Sequence, residues 1–236
     1  MADILPFCGV HYNPAVVGDL AAVICPPYDI ITPQMQQEFY ERGEYNFVRL
    51  ELSRESPRDD DSNNKYSRAS ATLAQWLEQS VLVKDEKPAV YLHDHYFTYQ
   101  GREYRRRGII VTVRLGEWSK TAVHPHEDTM PGPKSDRLNL LRALQANTSS
   151  IFTLFEDPGR QVSILLEAQE QGKPILSTGN IGGENHCIWA ISEVGVVRQI
   201  CSHLATQPLY IADGHHRYES ALNYRNERRT SSAHLT

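Results

Sequence analysis

The chain is 236 residues long, 40% apolar and 22% charged, with a formal net charge of -5. That is the composition of an ordinary globular chain, with residues enough for a sizeable core. It excludes a global basic field for gathering nucleic acid, and no window approaches the roughly 18 apolar residues of a membrane span, so neither is an expected partner.

Cys8, Cys25, Cys187 and Cys201 stand far apart with no CxxC pair, which reads as small core residues rather than a zinc ribbon or redox dithiol. The start, MADILPFCGV, has no basic segment followed by a long apolar one. No signal peptide is expected, and a reducing cytoplasm is the default location.

Ala21 to Cys25 reads as a short buried strand stopped by Pro26-Pro27. Thr32 then Pro33 is an N-cap with proline at the first helical position, and Gly43 is the stop, which predicts a helix of about ten residues. Tyr45 to Leu52 is a second strand candidate, and the PPYD turn before the helix presents Tyr28 and Asp29. Residues 53–65 are polar and acidic, a solvated surface loop. Beyond them Tyr66, Ala69, Leu73, Trp76 and Leu77 recur at helical spacing, a stripe for the core.

PAVYLHDHYFTYQGREYRRRGIIVTVRL is a long hairpin turning at Gln100-Gly101, its second arm alternating Ile109, Val111, Val113 and Leu115 inward. On its first arm Tyr91, His93, His95, Phe97 and Tyr99 share a face; the two histidines amid aromatic neighbours read as strand surface rather than metal ligands. Residues 116–135, rich in proline and glycine, read as a long loop. A helix capped by Ser135 follows, turning Leu138, Leu141 and Ala143 or Leu144 inward; Lys134, Asp136 and Arg137 at its start make a second N-terminus suited to anions, with an outward Arg137 reading equally as a surface charge. Asn147 to Ser150 is a C-cap and turn. SSIFTLFED is a strand, Gln161 to Gln171 a helix, His186 to Ile191 a strand, and Ser192 opens another helix. Alternating strands and helices plus one hairpin predict an α/β or α+β fold, a mixed β-sheet covered by helices.

The densest chemistry is LYIADGHHRYESAL, Leu209 to Leu222. Leu209 to Ala212 make a strand, Asp213-Gly214 a turn, and Tyr218, Ala221 and Leu222 the buried face of a helix. Gly214, His215, His216 and Arg217 then occupy the first helical turn, where backbone N–H groups lack partners and the macrodipole is positive, so an anion binds well there. Gly214 lets an oxygen approach the backbone and Arg217 offers a planar fork. Asp213 either caps the helix from His215 or His216 or holds a magnesium ion. His215 and His216 point in different directions, so at most one serves a given ion. After Leu222 the chain turns polar to its end at Thr236.

The second cluster is HPHEDT, in which Pro125 favours an extended backbone that places His124 and His126 on one side, with Glu127 as base or ligand.

PFCGVHYNP, VGDLAAVICPPYDII, YNFVRLEL, HPHEDT, KSDRLNLLRALQANTSSIFTLF and PLYIADGHHRYESAL, in that order, resemble the prokaryotic family known as domain of unknown function 1015. The resemblance implies a single α/β domain over 1–236 that corresponds to the N-terminal part of a longer protein. IADGHHRYESA is also similar to the motif of the ParB and sulfiredoxin superfamily, to which free-serine kinases belong. That second resemblance implies that Gly214, His215, His216 and Arg217 contact nucleotide phosphates and that Asp213 stands where those kinases have an acid. Histidines at 215 and 216 stand where sulfiredoxins carry cysteine, so sulfiredoxin chemistry is not expected.

The leading expectation is therefore an ATP- or other nucleotide-binding phosphotransferase, aided by Mg²⁺, in which Glu127 with His124 or His126 deprotonates a small hydroxyl acceptor. An alternative is a metal-dependent hydrolase with His124, His126 and one of His215 or His216 as ligands and Glu127 as base. A third is a nucleotide-sensing module without turnover.

Overall fold

The computed structural model describes residues 2–179 and 182–233. In chain order its strands are β1 (Ile4–Leu5), β2 (Val10–Tyr12), β3 (Leu82–Lys84), β4 (Val90–Tyr99), β5 (Arg102–Ile110), β6 (Thr112–Val113), β7 (Val123–His124), β8 (Phe152–Leu154), β9 (Leu176–Ser177), β10 (Asn185–Ile191) and β11 (Leu209–Asp213). The helices are α1 (Pro14–Val17), α2 (Leu20–Val23), α3 (Pro33–Arg42), α4 (Val48–Glu51), α5 (Lys65–Glu78), α6 (Pro131–Leu144), α7 (Gln161–Gln169), α8 (Val194–Ala205) and α9 (His215–Ala233). The architecture is mixed α+β, and none of the described helices is long and apolar enough to cross a membrane.

The chain divides into two compact units, Met1–Val23 with Ser80–Arg114 and Glu156–Gln207, and Ile24–Gln79 with Leu115–Phe155 and Pro208–Thr236. In the first unit β5-β4-β10-β9 form an antiparallel sheet, with the short pairs β1-β6 and β2-β3 beside it. The expected hairpin is present: Gln100 at φ 49° and Gly101 at φ 73° make the left-handed two-residue turn that suits twisted strands. The alternation of its second arm stops at Ile110, and Val113 pairs instead with Ile4 of β1. The cross-strand partners Leu92 and Trp189, and Val90 and Ile191, are buried, as are Val197, Ile200 and Leu204 of α8. Asp94, fully buried on β4, is held by Arg107 through bonds of 2.8 and 2.6 Å.

In the second unit β11 lies between β7, parallel to it, and β8, antiparallel. Ile31, Phe39 and Val48 form one apolar cluster, and Ala69, Leu140 and Leu144 another. Helix α3 starts and stops where Thr32 and Gly43 predict, the Thr32 hydroxyl accepting from the Met35 N–H. The stretch after Leu52 stays free of helix and strand until Lys65 opens α5. Along α5, Ala69 and Trp76 are buried, whereas Leu77 is exposed.

Three expected elements differ. Ala21 to Cys25 is no strand: α2 covers Leu20–Val23, because Asp19 caps the Ala21 N–H and one helical turn buries both Leu20 and Val23. Tyr45 to Leu52 contains α4 instead of a strand. Buried Asn46 decides it, its Oδ1 accepting from the Val48 N–H and its Nδ2 donating to the Ile24 carbonyl. Helix α6 starts at Pro131, not at a Ser135 cap; prolines in a first turn cost nothing, since those N–H groups have no intrahelical acceptor. Leu144 is buried as expected, but it is joined by Arg137 and Leu140, while Leu138 and Leu141 are only half-buried. Helix α9 carries the polar tail to Ala233, and residues 234–236 lie outside those described.

All four cysteines are free thiols, half-buried rather than core.

Candidate functional site

Strand β11 turns Leu209 and Ile211 inward and ends at Asp213. The chain then passes through Gly214 at φ 99°, a conformation that favours glycine. A Cβ there would stand 3.0 Å from the Arg217 guanidinium carbon, so a side chain would require that guanidinium to shift. The Gly214 carbonyl accepts from the Tyr218 N–H at 3.0 Å, which opens α9. With 19 residues behind it, the first turn of α9, His215 to Arg217, is the positive end of a long helix.

Arg217 folds back across this turn, donating to the Asp213 carboxylate and to the Ser150 carbonyl. Asp213 is therefore tied to Arg217 instead of capping His215 or His216. A guanidinium one turn along the helix reaches it with full charge assistance.

His215 points inward, its side chain 1% exposed. Its Nε2 accepts from the His126 N–H at 3.2 Å. Its Nδ1 lies 3.1 Å from Glu127 Oε1 but is not aligned for a hydrogen bond, which leaves a buried nitrogen without a partner in line. Burial pushes this imidazole below its ordinary value; His126 adds to the effect and Glu127 offsets part of it. His126 Nδ1 sits 2.7 Å from the Ile211 carbonyl; since a carbonyl only accepts, that nitrogen carries the proton. His216 turns away from His215, as adjacent helical residues do, and its Nε2 accepts from the Met130 N–H at 3.0 Å. His124 stands apart, its exposed ring packed on Tyr210 at 5.4 Å between centroids.

Glu127, His126, His215, Asp213, Gly214 and Arg217 thus converge, while His124 does not share the contacts of His126. The metal-ligand set His124, His126 and His215 or His216 does not assemble: backbone groups take His126 Nδ1, His215 Nε2 and His216 Nε2. Among the described residues, the group whose donor atoms come close enough for an ion is a different one, in the first unit.

Two further groups brace the site, and only long-range pairing reveals them. Glu219 accepts from Thr129 Oγ1 at 2.5 Å, Lys134 Nζ at 2.8 Å and Trp118 Nε1 at 3.4 Å. Burial would raise its carboxyl, but Lys134 and Thr129 win and hold it low. The Tyr218 ring stacks on Trp118, and its hydroxyl bonds both backbone groups of Gly116. The second group centres on Arg137, which is buried rather than outward and donates to Glu51 Oε1 at 3.2 Å and the Glu51 carbonyl at 3.1 Å. Ser149 Oγ donates to the same carboxylate at 2.7 Å, and the Tyr28 ring covers the guanidinium at 3.9 Å. Asp136 meets Arg137 and Lys65; burial works against its charge, yet these two cations hold its carboxyl below the usual range. Asp136 and Arg137 lie beyond the first turn of α6, and they and Lys134 are committed to ion pairs, not to an anion at a helix end.

Fold and site together define a mixed α+β protein whose strand-glycine-helix junction gathers imidazoles, a carboxylate and an arginine. The chain belongs to the family described as protein of unknown function DUF1015, whose model matches residues 4–236. No curated protein and no solved structure matches the chain.

Proposed function

We propose that the second unit binds the phosphate groups of a nucleotide, carried as its magnesium complex, and passes the terminal phosphoryl group to a small hydroxyl-bearing acceptor. The observation that supports this is the junction itself, in which Gly214 at φ 99° opens a long helix and Arg217 lies across the turn. Backbone N–H groups at a helix N-terminus suit phosphate oxygens, and a guanidinium neutralises two of them at once. Asp213 then releases Arg217 in part and orients it toward the phosphates.

Glu127 is the base. Its side chain is 54% exposed and open to an incoming acceptor, while His215 beneath it is buried and neutral. The acceptor hydroxyl gives its proton to the Glu127 carboxylate as its oxygen bonds to phosphorus; the bond from phosphorus to the bridging oxygen breaks, and the nucleoside diphosphate leaves with that electron pair. His126 fixes His215 through its backbone N–H, which replaces the direct role expected of His124 or His126.

A thermal-shift titration with ATP, ADP, CTP and GTP, each with and without Mg²⁺, tests the reading. A native-state ligand raises the midpoint in a dose-dependent way, and the rise is expected to vanish in Arg217→Ala. No response to any nucleotide, or an equal response in Arg217→Ala, defeats the proposal.

A further inference from the structure

The two central strands of the first unit place a second cluster of imidazoles and a carboxylate on one face. His95 of β4 and His186 of β10 are directly opposite in register, their rings parallel within 8° and 4.2 Å apart between centroids. Glu184, the residue before β10, brings Oε2 to 2.8 Å from His95 Nε2 and 3.9 Å from His186 Nε2. Two imidazole nitrogens and a carboxylate oxygen thus lie within 4.8 Å of one another. Their side chains are graded in exposure, 9% for His95, 31% for His186 and 53% for Glu184. The cluster is therefore anchored in the sheet and open to solvent on the carboxylate side. We propose that His95, His186 and Glu184 bind a divalent transition metal ion of the zinc class, with the remaining coordination position open. This does not rest on the phosphotransfer reading, whose residues all lie in the other unit.

The donor set is that of three-ligand zinc sites, in which metal–donor distances of about 2.0–2.2 Å separate neighbouring donors by about 3.4 Å. His95 and Glu184 are closer than that, joined by a hydrogen bond whose proton the ion would replace, and His186 is slightly farther. Closing the difference takes a rotamer change of the exposed Glu184 together with a tilt of the two stacked rings, whose in-plane lone pairs run parallel in this structure. The outer contacts also fit: His93 Nε2 lies 2.9 Å from His186 Nδ1, so a ring bound to metal through Nε2 has an acceptor for its other N–H.

One neighbour opposes the ion and makes the proposal sharp. Arg106 Nη2 stands 2.9 Å from His95 Nδ1, and a guanidinium only donates, so Nδ1 is the bare nitrogen and Nε2 carries the proton. Coordination through Nε2 moves that proton to Nδ1. Arg106, an exposed residue, must then swing away. Arg106 therefore weakens metal binding, and its removal strengthens it.

The test uses the untagged full chain, stripped with a chelator, dialysed, and titrated with Zn²⁺ alone by calorimetry against a competing chelator, with metal content measured after gel filtration. One ion per chain is expected. Glu184→Gln, at an exposed position that leaves the sheet intact, and His186→Gln are each expected to weaken uptake about tenfold or more, Arg106→Ala to tighten it several-fold, and His126→Ala to change nothing. Unfolding curves of each variant show whether the fold is kept. Zinc uptake absent in the parent chain, or equal in Glu184→Gln and the parent, overturns the proposal. So does uptake lost in His126→Ala while retained in His186→Gln.

Discussion

Glu127 Oε1 lies 3.1 Å from Nδ1 of His215, an exposed carboxylate above an imidazole whose side chain is 1% exposed. The pair is held from the backbone side, since His215 Nε2 accepts from the N–H of His126, the residue before Glu127. The arrangement sets a buried ring, whose pKa burial lowers, beneath an exposed carboxylate at the mouth of the site.

That lowered pKa sets a pH dependence. Burial, with His126 in support, lowers the His215 pKa in the folded state, whereas in the unfolded chain the ring titrates near its ordinary value of about 6.5. Below that value the unfolded state binds the extra proton, so the stability contribution is complete above it and is lost as the pH falls through it. Urea unfolding of His215→Gln is expected to show a shallower loss of stability than the parent between about pH 7 and pH 5. The residual slope belongs to His93 and His186, whose rings burial also pushes down. An identical slope in parent and variant would mean that His215 does not titrate this way.

Gly214→Ala tests the turn. At φ 99° an alanine is strained, and its Cβ would press on the Arg217 guanidinium at 3.0 Å. A cost of about 1–3 kcal/mol is expected, together with loss of the nucleotide-induced thermal shift, because the added methyl occupies the turn where a phosphate oxygen would approach the backbone and displaces the Arg217 guanidinium from across it. A variant as stable as the parent that keeps its shift would show that the turn relaxes freely.

Arg137 and Glu51 are 7% and 2% exposed, a buried ion pair. Arg137→Met leaves the Glu51 carboxylate buried with the Ser149 hydroxyl still donating to it, and chemical denaturation is expected to show a loss of about 3–5 kcal/mol. Replacing Glu51 by Leu in the same chain removes the stranded charge. The double variant is then expected to be more stable than Arg137→Met alone; if it is less stable, the pair contributes more than the cost of burying it.

What was legible in the sequence were features set within a dozen residues. Thr32-Pro33 with Gly43, the Gln100-Gly101 hairpin and the strand-glycine-helix run at Leu209 to Leu222 each carry their own start, stop and period. Ala21 to Cys25 and Tyr45 to Leu52 misled because so few apolar residues show no period, and polar side chains, Asp19 just before the first run and Asn46 within the second, decide the outcome. His95 with His186, and Glu51 with Arg137, were hidden for another reason. Each pair is far apart in sequence, 86 residues for Glu51 and Arg137, and is joined by strand register or packing. The Leu209 to Leu222 junction was readable as an anion-binding turn, but not the inward turn of His215 toward Glu127, which depends on the loop that Glu219 ties down.

Glu219 is a positioning residue in this scheme. Its carboxylate joins Thr129, Lys134 and Trp118 to α9, and so restrains the segment that carries His126 and Glu127. Held low in pKa by Lys134 and Thr129 against the pull of burial, it stays ionised in the fold as the pH falls. Its contribution is complete above the ordinary carboxyl value of about 4.3 and is lost on acidification through it. Glu219→Gln keeps the shape but removes the charge and one acceptor, at a cost of about 1 kcal/mol in stability. Nucleotide binding at Arg217 is expected to persist, since neither Gly214 nor Arg217 depends on this tie. The kcat of phosphoryl transfer is expected to fall about tenfold to a hundredfold, because displacement of the base by about 1 Å is enough for that, while KM for the nucleotide stays within a factor of about two. A rise in KM for the nucleotide alongside the fall in kcat would place Glu219 in nucleotide binding instead. A loss of stability with turnover unchanged would reduce it to a structural clasp.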